Sequence, residues 1–344
     1  MRSVNWLIIL AIFCIPIYAE SGQTIVLTDE DGRSVTVPLN PEHIVCLSPG
    51  AAEVLCALDA RDRIVAVTND CNIPSSLLGL ESVGGSGREA DIERILEIKP
   101  DLVIAKTGAL FAKDDEKKLT DYGIPVLRYR VLHIDTLFPV IEDMGKLLQK
   151  EEQANEMRNW IDGYYQTILD RVGTLPDAKK LSVYFMSMGH TDWTGNRAST
   201  GNSRIAEAGG RNIAADLPVT VPHVETEWII EQNPEIMVYS MSSEQHKGTY
   251  PTIEEMKAKQ QEIMSQPGFE VIDAVKTGRV YVADINMASG LSEMVTMLYY
   301  AKWFHPDLFQ DIDPRSVHAE LLQKYAHMDI KDIHQVYPED PVGV

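Results

Sequence analysis

Histidine and cysteine are the side chains here best able to hold a metal or attack a substrate, and their spacing decides what they can do. The nine histidines form no His-Glu-x-x-His or His-x-His pattern, and no Cys-x-x-Cys occurs, so the local signatures of a zinc site are missing. His133, His190, His223 and His246 fall between predicted elements. Surface or helix-capping roles are expected for them, and a three-histidine metal cup would need the fold to gather them. Cys46 and Cys56 fall on a predicted strand and the helix after it, in layers ~10 Å apart and beyond the ~7 Å Cα limit of a disulfide. Both read as small core residues. Cys71, just before Asn72-Ile73-Pro74, is the one thiol placed to touch a ligand, although an unreactive role is the simpler reading. Gly84-Gly85-Ser86-Gly87 lacks the spacing of a dinucleotide fingerprint and the lysine of a phosphate loop, so a turn is expected. No Gly-x-Ser-x-Gly elbow offers a nucleophile. The expectation is a protein without catalytic residues, cofactor or resident metal; the alternative, an α/β enzyme with an interlobe active site, would need cysteine ligands there, and only Cys71 is placed for that.

Aromatic and basic side chains stand out instead, in segments that follow predicted strands, where open α/β sheets bind ligands. Arg128-Tyr129-Arg130 ends one strand, and Ser187 to Arg197, containing His190 and Trp193, follows another. Flat aromatic faces with guanidinium forks suit a large ligand that is partly apolar and partly anionic. Trp193 has a plain alternative as a core anchor.

The elements that must position these residues alternate. At 344 residues the chain is long enough for about two domains. Its 31 basic and 51 acidic residues give a net charge of −20, which disfavours nucleic acid as a partner. Met1-Arg2 precedes an uncharged run from Trp6 to Tyr18. At ~1.5 Å per residue that run makes about 20 Å of helix, short of a ~30 Å membrane core. It reads as a signal peptide over 1–19, with a retained anchor as the alternative, and predicts export.

After a hairpin signal at Asp31-Gly32, strand and helix patterns alternate, which implies mainly parallel sheets flanked by helices. Glu93-Arg-Ile-Leu-Glu-Ile-Lys-Pro100-Asp-Leu-Val-Ile-Ala105 is a helix stopped by proline and followed at once by a strand. Glu227-Trp-Ile-Ile-Glu-Gln-Asn-Pro234-Glu-Ile-Met-Val-Tyr239 repeats it without a gap. So distant a repeat predicts two similar α/β lobes, at 24–132 and 179–330. Between them, Leu137, Ile141, Met144 and Leu148, then Met157, Ile161, Tyr164, Ile168 and Val172, keep one apolar stripe, interrupted by polar Lys150 to Gln153. The stripe predicts one long spine helix over 135–173. The tail is 331–344, and from Tyr337 it is expected to fray.

The residues also resemble a known family. Ile44 to Pro49 with Glu53, Arg63 to Val67 and on to Pro74, Val83-Gly84-Gly85, Ile92 to Val103, Ala208 to Ile213, Glu227 to Pro234 and Gly278 to Tyr281 are similar to the class III substrate-binding proteins of ABC importers for iron–siderophore, haem and cobalamin uptake. The resemblance covers roughly Pro41 to Tyr325. It implies a bilobal, monomeric receptor with two Rossmann-like lobes on a helical spine, and a shallow cleft that closes little. One glutamate at each lobe tip would dock on arginines of a permease dimer, at positions that match Glu93 and Glu227. The cobalamin binder of the family uses aromatics in the loop matching Asp70 to Ile73 and just before the first tip helix. Here those places hold Cys71, Ile73 and Gly87-Arg88, which favours an anionic ferric siderophore with Arg88, Arg130 or Arg197 as counter-charge. Haem would take His190 or Tyr129 as axial ligand.

Overall fold

The structure is a computed structural model that describes residues 23–242 and 250–342. The expected signal segment and His246 lie outside them. The chain opens on a two-stranded antiparallel sheet, β1 (Thr24–Thr28) and β2 (Ser34–Pro38), turning through Asp31-Gly32 as predicted.

Two five-stranded sheets follow. The first contains β3 (Ile44–Cys46), β4 (Ile64–Val67), β5 (Glu81–Ser82), β6 (Leu102–Ala105) and β7 (Val126–Arg128), all parallel, in the order β5-β4-β3-β6-β7. Helices α1 (Pro49–Ala57), α2 (Ile92–Ile98) and α3 (Lys113–Asp121) connect them. Next come α4 (Ile134–Leu148) and α5 (Glu151–Val172). The second sheet contains β8 (Ser182–Met186), β9 (Arg211–Asn212), β10 (Ile236–Met241), β11 (Val280–Asp284) and β12 (Val336–Tyr337), in the order β12-β11-β10-β8-β9. Its helices are α6 (Thr200–Glu207), α7 (Thr226–Gln232), α8 (Ile253–Met264), α9 (Asp273–Lys276), α10 (Ser292–Phe304) and α11 (Pro314–Leu321). The predicted α/β class and parallel sheets are what the chain builds. The sequence repeat is real in three dimensions: α2–β6 and α7–β10 are the same unit, each helix closing on a left-handed residue, Lys99 or Asn233, before its proline.

Alternation along the strands sorts the core. Ile44 and Cys46 point to one face of the first sheet, Val45 and Leu47 to the other; Val183 and Phe185 alternate likewise with Tyr184 and Met186. The outward faces form two separate clusters. The remaining faces join α1, α4, α5 and α10 in a single apolar core running from Leu27 to Val336.

Two expectations need correcting. The spine is not one helix. It breaks at Gln149, which takes φ 54°. The polar interruption is the cause: Lys150 donates from Nζ to the Leu58 carbonyl at 2.5 Å and Gln153 from Nε2 to the Ala57 carbonyl at 3.3 Å. These side chains satisfy orphan carbonyls at the end of α1. Gly145 lets the two helices close up, since a Cβ there would stand 2.5 Å from that of Ala154. The stretch from Tyr337 also does not simply fray. Val336 and Tyr337 pair antiparallel with Ala283 and Val282, and the Glu339 carbonyl accepts from the Trp303 indole at 3.2 Å.

The halves meet along loops at the carboxyl ends of both sheets. Arg204 on α6 directs Nε at both carboxylate oxygens of Glu293 on α10, at 2.8 and 2.9 Å, and Nη2 at the carbonyls of Leu132 and Ala288, at 2.7 and 2.8 Å. His133, the N-cap of α4, reaches Glu207 on α6 at 3.1 Å. The Gly290 amide donates to the Val131 carbonyl at 3.0 Å, and Gly50 packs against Val131 and Gly290 where no side chain would fit. Glu53 on α1 accepts from the Leu291 amide at 2.9 Å, and burial pushes its carboxyl up to about 8 against the pull of Leu291 and Ser292.

A carboxyl raised this far above its unfolded value binds its proton more tightly in the folded state. It therefore withdraws stability as pH climbs from about 4.5 to about 8. Glu53→Gln keeps an acceptor for Leu291 but cannot ionise. Urea melts should show the wild type losing on the order of a few kcal/mol more than the variant across that window. Equal pH profiles would mean that Glu53 does not titrate at the seam.

Candidate ligand-binding site

In both sheets the strand order reverses beside the first strand, between β3 and β6 and between β8 and β10. Loops beyond the carboxyl ends at such reversals form a crevice. The seam contacts come from segments beyond the carboxyl ends of β3, β7 and β11, the same ends of the two sheets at which these crevices lie.

On the first half, the loop after β5 sweeps across the sheet end. A Cβ on Gly87 would lie 2.9 Å from the Leu110 carbonyl oxygen and 3.5 Å from the Lys106 side chain, both beyond β6. This carries exposed Arg88 from one edge of the sheet towards the other. There the Tyr129 amide bonds the Ala105 carbonyl at 2.8 Å, and exposed Arg130 follows. The backbone at this point is held by Glu30 from the β1–β2 turn, whose Oε2 accepts from the amides of Arg130 at 2.7 Å and Val131 at 3.4 Å. Val131 adopts φ 57°, a left-handed conformation costly for a β-branched residue and fixed here by bonds on both sides. Partial burial holds the Arg130 guanidinium below its usual range; Glu30 opposes this shift and nearby Arg88 adds to it. Lys106, by contrast, is engaged by Asp70.

On the second half, the loop after β8 makes an aromatic platform. Met188 and Gly189 take φ 55° and 78°, and the Ser187 amide closes the loop on the Trp193 carbonyl at 2.8 Å. Trp193 is half-buried, with the exposed His190 ring stacked on it at 4.6 Å and 17°, and His223 against it edge to face at 4.4 Å. His223 Nδ1 meets Asp192 Oδ2 at 3.3 Å. Met188, Val219 and Val221 add exposed apolar surface on the same pair of loops.

Arg88 and Arg130 both stand exposed beyond the carboxyl end of the first sheet, and His190 stacks on Trp193, which is half-buried rather than enclosed in a core. One expected site residue falls away. Tyr129 is 1% exposed and donates its hydroxyl to Asp143 at 2.9 Å, so it cannot serve as an axial ligand. Arg197 is exposed and pairs with equally exposed Asp216. Cys71 is also buried, with its thiol pushed up to about 12 by burial, and cannot touch a ligand. Among the described residues, no three His, Cys, Asp or Glu side chains gather to hold a metal ion. His223 had no assigned site role in the sequence, where it is one loop histidine among several. Its neighbour Trp193 is 30 positions away, and the two are joined by a bridge between their backbones and by the contact of their rings.

Glu93 and Glu227 are exposed second residues of α2 and α7. Each helix runs back along its sheet before the following strand, so each first turn lies on the cleft side of its own half.

A family model described as periplasmic binding protein matches residues 44–286. An uncharacterized ABC transporter substrate-binding lipoprotein YvrC of Bacillus subtilis is 26% identical over 298 residues, covering 83% of this chain and 87% of that protein. A vitamin B12-binding protein of Yersinia pestis is 28% identical over 209 residues, covering 59% and 71% respectively. Among solved structures, the TroA-like periplasmic binding protein FepB from Veillonella parvula superposes with a TM-score of 0.74 at 22% identity, covering 91% of this chain and 99% of its own.

Tyr129→Phe should cost about 1–3 kcal/mol in urea melts, because it strips a buried carboxyl of its donor. Trp193→Ala should leave a single cooperative transition, as fits a residue at the lip of a loop. A Trp193→Ala chain that no longer folds would make the indole a core anchor after all. With its match running from the first sheet through β11, the chain belongs to the periplasmic binding protein family, in the class III group that serves ABC importers.

Proposed function

We propose that this protein is an exported, monomeric receptor that captures a ferric siderophore in the interlobe cleft and hands it to an ABC importer without chemical turnover. The observation that carries this reading is the contrast across the cleft. The first lobe offers two exposed guanidiniums, Arg88 and Arg130, and the second offers the Trp193 face with His190 and His223 beside it. A chelate with an anionic side and a flat, unsaturated side meets both. A corrinoid is the second reading, favoured by the vitamin B12-binding relative. Haem binding would rest on His190 or His223, since Tyr129 is engaged elsewhere.

A ligand that prefers the folded state raises the melting temperature by mass action. A panel of a ferric siderophore, haemin and cyanocobalamin should give its largest shift with the siderophore, and Trp193→Ala should reduce that shift. No shift with any of the three at saturation would overturn the proposed cargo.

Glu93 and Glu227 are read as docking carboxylates. Two bidentate carboxylate–arginine contacts on one body reinforce each other, because the first raises the effective concentration for the second. The double variant Glu93→Ala/Glu227→Ala should abolish uptake into vesicles carrying the permease while cargo affinity stays within about a few-fold of wild type. Either single change should do less, and docking should weaken with salt. Normal uptake by the double variant, or loss of the cargo itself, would refute the assignment.

A further inference from the structure

The three cysteines among the described residues lie in one apolar cluster, on the face of the first sheet that packs against α1. Cys46 ends β3, and its partner across the ladder is Val67, the last residue of β4. There the chain turns back on itself. The Cys71 amide donates to the Thr68 carbonyl at 2.9 Å, which returns Cys71 to the end of β3. Its thiol lies 3.6 Å from the Cys46 carbonyl oxygen and 3.5 Å from the Thr68 hydroxyl. Cys46 directs its own thiol to the Ser48 carbonyl, at 3.4 Å. Two thiols therefore share one strand end, the first against the backbone of the second residue, and both are closed off from water. A thiol is a weak donor, so these contacts hold neither sulfur firmly. Cys56 is carried on α1, in the layer packed over that face.

We propose that Cys46 and Cys71 are joined by a disulfide in the working protein. The bond needs Cys46 to leave Ser48 for another staggered rotamer. This inference rests on the exported reading, since thiols stay reduced in the cytosol and are oxidised outside it. Each thiol gives up one proton and one electron as the S–S bond forms. The acceptor is the disulfide of a thiol–disulfide oxidoreductase, which leaves as two thiols. Burial pushes the Cys71 thiol up to about 12 and raises that of Cys46 as well, so the thiolate that starts the exchange is scarce once the fold has closed. The bond accordingly forms while the first lobe is still open. It ties the loop beyond β4 to the central strand of the sheet. Thr68 already holds that loop by donating to Asp70 at 2.6 Å, and Asp70 engages Lys106.

The test uses the full chain, expressed with its own N-terminal segment and recovered from the envelope of the host. Iodoacetamide on the denatured, unreduced protein should label Cys56 and spare Cys46 and Cys71. Digestion should yield one peptide pair joining those two, which reductant separates. The partners are 25 residues apart, and reduction should lower the wild-type Tm by about 5 °C. Cys71→Ser should show no such response to reductant, whatever the buried serine itself does to stability. Refolding the reduced, denatured chain with oxidised glutathione should give the same link without any export.

Labelling of all three thiols, both in the exported chain and after refolding with glutathione, would overturn the pair. So would a link from Cys56 to either partner, or an equal response of Cys71→Ser to reductant. Free thiols in a chain that does reach the envelope would overturn the bond and leave the receptor reading standing. A chain that stays in the cytosol, yet links Cys46 to Cys71 on refolding, would overturn the exported reading and keep the pair.

Discussion

The buried ion pair between Arg204 and Glu293 is the constraint on which the arrangement of the two lobes depends. Each partner is out of water, and burial pushes the Glu293 carboxyl up while Arg204 draws it back down. Such a pair contributes little net stability, but removing one partner costs about 3–5 kcal/mol. Its importance lies in direction. The guanidinium is a planar fork, and its Nη2 is committed to the carbonyls of Leu132 and Ala288. One side chain of the second lobe thus fixes the strand end of the first and the loop leading into α10. Arg130 and Val131 lie immediately before that fixed point. The left-handed turn at Val131 can persist because Glu30 holds it from below and Gly290 from the far side. Cleft geometry on the first lobe is therefore inherited from the seam.

How much of this was legible in the sequence follows from range. The helix–proline–strand unit at Glu93 and its twin at Glu227 could be read because every signal in it is local: apolar spacing, a stop, then a β-branched run. The parallel sheets followed from the same alternation. Arg204 could not be read, since its partner is 89 residues away and nothing marks a serine-flanked arginine on a short helix as buried. Tyr129 was misread for a related reason. Arg-Tyr-Arg at a strand end looks like ligand-binding material until α4 brings Asp143 to the hydroxyl. The break in the spine was visible as four polar residues, but its meaning required α1 to end beneath them. A two-residue strand such as β12 is too short for an alternating pattern to register.

Electrostatically the molecule is divided. Most of its surplus of carboxylates is spread over the surface, where exposed pairs contribute about 0–1 kcal/mol each and serve mainly solubility. Cations within the first lobe are largely neutralised by close partners, as at Arg33, Lys106 and Arg128. Arg88 and Arg130 depart from that economy beyond the carboxyl end of the first sheet, with no such pair among the described residues. The second lobe departs in the other sense, leaving Met188, Val219 and Val221 uncovered around an indole. Polarity on one wall and apolar surface on the other give the cleft an orientation before any cargo arrives.

The single apolar core that runs from Leu27 to Val336 also bears on how the chain acquires its structure in time. Helix α1 is buried along nearly its whole length, in part against the turn at Leu322–Ala326. During synthesis, that surface is complete 265 residues before its cover begins, from Ala57 to Leu322. The first lobe therefore has to wait with an open apolar flank, in the state most prone to aggregation. A chain threaded through a membrane unfolded and released at once would shorten that wait. The shared core thus ties the receptor's rigidity to late, cooperative folding of both lobes together.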